Sequence, residues 1–124
     1  MISKILFGFT TICLLATVSV EASSTKVSLI NLAAKQESIS KHIATDYKKQ
    51  GLMSTIKSLE AGQNQLKRDI HNPEVKNLMR FLDMCVNDLK VIATKPYSKQ
   101  NAQRVSELGE SLREGHHYVL LALK

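Results

Sequence analysis

The chain has 124 residues, 44% of them hydrophobic and 23% charged, which is room for one domain built on one core. Its net charge of +6 comes from lysines and arginines scattered along the sequence with few aromatics between them, a pattern that argues against a nucleic-acid-binding face and for a solvated surface. Two cysteines, one of them inside the apolar N-terminal stretch, leave no internal disulfide framework.

Residues 1–22 read as a signal peptide. Lys4 supplies the basic start, residues 5–20 the apolar run, and Val20-Glu21-Ala22 the small residues of a cleavage site after Ala22. The run falls short of the about 20 apolar residues of a membrane span, so an uncleaved anchor is the alternative. Cys13 follows Ile12 rather than a small residue, which argues against lipidation. Cleavage removes Lys4 and Glu21 and leaves the net charge at +6. The expected destination is periplasmic or secreted, with residues 23–124 forming the domain.

Everything after residue 22 carries helical period. The spacing predicts a first helix over 26–49, with Leu29, Leu32, Ile39, Ile43 and Tyr47 as its apolar stripe and Gly51 as its stop. A second helix is predicted over 52–70, on Leu52, Ile56, Leu59, Leu66 and Ile70, with Gln63 in the missing position. His71-Asn72-Pro73 marks the next boundary, since Asn72 suits an N-cap and Pro73 the first helical position. The third helix, 73–94, carries Val75, Leu78, Met79, Leu82, Val86, Leu89 and Ala93, and Pro96 ends it. The fourth starts near Ser98 and runs to the end on Val105, Leu108, Leu112, Val119 and Leu123, with His116 in the gap. Four helices of similar length joined by short connections predict an all-α, up-down-up-down antiparallel four-helix bundle.

Gln36, Gln63 and His116 interrupt three of these stripes, and antiparallel order would put them in one layer of the core. Buried polar groups need partners, so the layer either fixes helix register or lines a small ligand pocket.

Residues 30–44 resemble the N-terminal sensory domain of type IV pilus chemotaxis transducers (PilJ-like), related to the nitrate-sensing domain of NarX-type kinases. That family's first helix follows I-N-L-A-G-[KR]-Q-R-M-L-S-Q-[KR]-[MI]-A. This chain matches it at Ile30, Asn31, Leu32, Ala33, Lys35, Gln36, Ser40, Ile43 and Ala44. The resemblance implies a stand-alone sensory or binding module, and the candidate ligand residues are Lys35, Glu37 and Ser40 of this segment together with the Gln36, Gln63 and His116 layer read from the period. It also implies a homodimer through the first helix, on Ile30, Ala33, Ala34 and Glu37. At the family's anion-binding arginine this chain has Glu37, and a carboxylate repels nitrate where a guanidinium would bind it bidentately. Ala34 and Ser38 stand at the family's glycine and methionine. With no kinase or methyl-accepting module in the sequence, output would pass to a membrane receptor or signalling protein.

Two other classes compete with a binding module. One is a structural or interaction bundle without ligand. The other is a b-type haem carrier using Met79 and His116, although that kind of cytochrome places its methionine early in the first helix. His116 and His117 are adjacent and point about 100° apart, and His42 and His71 have no partner ligand one turn away, so no metal site is expected. Cys85 has no activating cation one turn away and reads as a packing thiol. No nucleophile–base–carboxylate set stands out, and no enzyme and no cofactor are expected.

Overall fold

The computed structural model describes the backbone of residues 10–124 and the side chains of residues 26–124, so residues 1–9 of the expected signal peptide lie outside the described residues. Five helices follow one another: α1 (Thr10–Lys41), α2 (Ile43–Lys48), α3 (Leu52–Asp69), α4 (Pro73–Ala93) and α5 (Lys99–Leu123). The protein is all-α, with bundle-like packing. Among the described residues no helix is long and apolar enough to cross a membrane.

The helix expected over 26–49 differs in two ways. It starts earlier, at Thr10, because no glycine or proline lies between Gly8 and Gly51 to interrupt it. It is also broken at His42, whose amide donates to the Ile39 carbonyl three residues back (3.1 Å) instead of four, a single tightened turn that separates α1 from α2.

The end of α2 also differs from expectation. Gly51 was the predicted stop, yet the left-handed residue is Gln50, at φ 61°. The Gly51 amide donates to the Asp46 carbonyl (2.7 Å) and the Gln50 amide to the Tyr47 carbonyl (3.2 Å), a Schellman closure with glycine one position late. The boundary before α4 is as read from the sequence. Asn72 Oδ1 accepts from the amides of Glu74 (2.9 Å) and Val75 (3.3 Å), with Pro73 opening the helix. Ser98 caps α5 by accepting from the Asn101 amide at 3.0 Å.

α1 packs against α3 and α5, α3 against α4, and α4 against α5, while α2 extends the α1 side onto α3 and α5. The buried positions of α1 and α2 are Leu29, Ala33, Gln36, Ser40, Ile43 and Tyr47, at alternating steps of four and three. Leu32 and Ile39, expected on the stripe, flank it half-buried, and two small residues take their place. α5 comes close beside Ser40 and Ile43: a Cβ at Gly109 would lie 3.3 Å from Ile43 Cβ and 3.5 Å from the Ser40 carbonyl oxygen. The bulk of the core is supplied from the other helices instead, by Ile56, Leu59 and Leu66 of α3, Met79, Leu82 and Leu89 of α4, and Leu112 of α5.

Candidate functional site

The sequence-predicted polar residues are all inside. Gln36 and Gln63 are 1% exposed and His116 not at all. Their bonds, however, divide them into two groups.

Gln36 turns towards α3, where Nε2 donates to the Leu59 carbonyl at 2.8 Å. Its amide lies so close to Gly62 that a Cβ there would collide with it. One turn along α1, Ser40 is buried and its hydroxyl donates to the Gln36 carbonyl at 2.8 Å. His116 Nδ1 lies 3.4 Å from Ser40 Oγ. The hydroxyl has one proton and uses it on the Gln36 carbonyl, so Oγ and the Leu112 carbonyl both face Nδ1 as acceptors and Nδ1 carries the ring proton. That tautomer leaves a bare lone pair on His116 Nε2, which is buried and has no partner in the protein. Burial holds the His116 imidazole well below its ordinary value, at about 4, against opposing effects from the Leu112 carbonyl and the Glu37 carboxylate. His116 is therefore neutral at pH 7.

Gln63 faces the other way. Its Nε2 donates to Asp83 Oδ1 at 2.6 Å, and the second oxygen of Asp83 takes Lys67 Nζ at 2.8 Å. So the structure joins Gln36, Ser40 and His116, and gives Gln63 to α4. The contact of the Gln36 amide with Gly62, beside Gln63 in sequence, is what remains of the expected meeting of two glutamines. Around the same layer, Leu82 fills the space over Gly115 so closely that a Cβ there would collide with it. The layer is filled by its own side chains.

The other expected site residues sit outside this layer. Lys35 is exposed. Glu37 lies 3.1 Å from His117 Nδ1 across the α1–α5 seam. Of the expected dimer face, Ala34 is exposed and Ile30 and Glu37 are half-buried, but Ala33 is wholly buried. Ala33 belongs to the four-three stripe of α1, so it cannot form part of an external face. Met79 and His116, the residues a haem would use, are both closed off from solvent. Among the described residues no three His, Cys, Asp or Glu side chains group as a metal site.

Open space lies elsewhere. Between α4 and α5 two adjoining hollows of about 580 and 340 Å³ share Leu78 and Tyr118; Phe81 borders the first and Val75 the second. Phe81 is 48% exposed and Tyr118 69%, and Met84 and Leu121 of the same two helices are also exposed. A further cavity of about 260 Å³ is lined by Tyr47, Gln50, Met53, Lys95 and Tyr97, with the Tyr47 and Tyr97 rings stacked at 5.4 Å between centroids. Sequence reasoning missed both. Phe81, Tyr118 and Met84 fall off the core stripes, which is the one signal that could have flagged the groove.

No protein-family model, no curated protein and no solved structure matches this chain.

Proposed function

We propose that this chain is an exported, stand-alone binding module, a four-helix up-down-up-down antiparallel bundle that resembles the PilJ/NarX-type sensory domain and acts through a partner protein. The cross-helix pairs support the topology. Along α1 and α5 the pairs are Ser40 with His116 and, continuing into α2, Ile43 with Gly109. Along α3 and α4 they are Glu60 with Lys90 and Gln63 with Asp83, and along α4 and α5 Leu82 with Gly115 and Asp88 with Arg104. In each pair of helices the numbers run in opposite senses. Export rests on the basic-apolar-small pattern of residues 1–22.

The single observation that carries the binding role is the groove between α4 and α5, an apolar strip bordered by polar and charged residues such as Arg113, Glu114 and Glu74. Val75, Leu78 and Phe81 recur every three residues along one wall, and Tyr118 stands on the other. A groove between two helices accepts the apolar face of a third, anchored by aromatic side chains. The occupant is a helix of the partner protein. The filled Gln36–Ser40–His116 layer favours a register-setting role for those residues, which supports the interaction-bundle reading of the polar layer and moves recognition to the surface.

Photo-crosslinking residues placed at Phe81 and at Tyr118 of the full chain test this in the producing cell. One adduct of the same mass from both positions, absent from a control position at Lys57, is expected. Adducts equal at Lys57, or none at all, would overturn it.

A further inference from the structure

We infer that the cavity walled by the Tyr47–Tyr97 stack is a ligand site for a small aromatic carboxylate. The site is separate from the α4–α5 groove and does not depend on the partner reading.

Four observations converge on one place. Tyr47 is 7% exposed and contributes its ring to the cavity wall. Tyr97 stacks on Tyr47 at 25° between ring planes yet is 59% exposed, so the pair presents an open aromatic surface at the cavity wall. Met53, 47% exposed, adds a soft, polarisable side chain suited to an aromatic ring. Gln50 lines the same cavity and holds a left-handed backbone that glycine adopts without strain.

Charge selects the ligand class. Lys95 lines the cavity and makes no ion pair among the described residues; nor do Lys48, Lys49 and Lys99 on the flanking segments. Lys95 thus sets one cation beside an aromatic wall, which favours a planar ring bearing one negative charge. About 260 Å³ lies just below the range for drug-sized ligands and suits a single ring. The ring stacks at the tyrosine pair and Met53, and the carboxylate meets Lys95 and the Gln50 amide.

The test is a two-dimensional amide NMR titration of the full chain with benzoate, and with benzyl alcohol as the uncharged ring. Benzoate should give saturable shifts confined to residues 47–53 and 93–98. Benzyl alcohol should bind roughly tenfold more weakly, and Lys95→Gln should weaken benzoate by a similar factor, since a hydrogen bond to a charged group is lost in each case. Tyr97→Leu should weaken both probes. Lys95 and Tyr97 are exposed, so neither variant disturbs the core. Absence of saturable shifts in those segments, or benzoate binding unchanged in both variants, would overturn the assignment. Crosslinking at Phe81 is unaffected by either result.

Discussion

His116 should make this protein acid-sensitive in a way that one substitution removes. The imidazole is fully buried, carries its proton on Nδ1 beside Ser40, and titrates at about 4 when folded against 6.5 for an unperturbed histidine. Between those values the unfolded chain binds a proton that the folded chain refuses. Stability from this group is therefore complete above pH 6.5 and is lost as pH falls towards 4. Each pH unit in that window is worth about 1.4 kcal/mol, so the full effect is about 3 kcal/mol. The assay is urea unfolding of wild type and His116→Gln at half-unit steps from pH 7.5 to 4. Subtracting the two profiles removes the surface histidines and carboxylates, which both proteins share. The difference should be flat above pH 6.5 and change by about 3 kcal/mol below it. Parallel profiles would refute the buried, neutral His116.

Three further outcomes follow from the packing. Gln50→Gly should stabilise by about 0.5–1 kcal/mol, because relief of a left-handed non-glycine residue outweighs the added freedom of the unfolded chain, and Gln50→Ala should not; thermal unfolding reads both. Gly115→Ala should be less stable than Gly109→Ala by about 1–3 kcal/mol, since both gain the same helix propensity but a Cβ at 115 collides with Leu82 whereas one at 109 meets Ile43 at 3.3 Å. Cys85 is 4% exposed and burial pushes its thiol up, with Asp88 adding to the shift and Arg104 opposing it, so a thiol reagent at pH 8 should label it only as the chain unfolds.

The helices were legible because their signals are local. Asn72-Pro73 and Ser98 carry their capping chemistry in their own side chains, and the stripes of α3, α4 and α5 repeat bulky residues at helical spacing. The first helix was harder. Its core positions 33 and 40 hold alanine and serine, which register as polar or neutral in a periodicity count, and Gly109, which lets α5 approach beside Ser40, belongs to another helix. The polar layer shows the same divide. Burial of Gln36, Gln63 and His116 followed from period alone, but the partner of each depended on rotation about the helix axes, and Asp83 drew Gln63 away. Gln50 in place of Gly51 as the left-handed residue depended on the last turn of α2, which the break at His42 sets. The tyrosine cavity joins Tyr47 to Tyr97, far apart in sequence, through connections whose paths no local pattern records.

Recognition on the α4–α5 face, and not in the polar layer, is tested most directly by placing the photo-crosslinker at Tyr118 in two backgrounds, Gln36→Leu and Phe81→Ser. Phe81 is half exposed and Gln36 donates to a carbonyl that keeps its helical bond, so both backgrounds should fold. The partner adduct should survive Gln36→Leu and be lost in Phe81→Ser. An adduct lost in Gln36→Leu and retained in Phe81→Ser would contradict recognition by the groove.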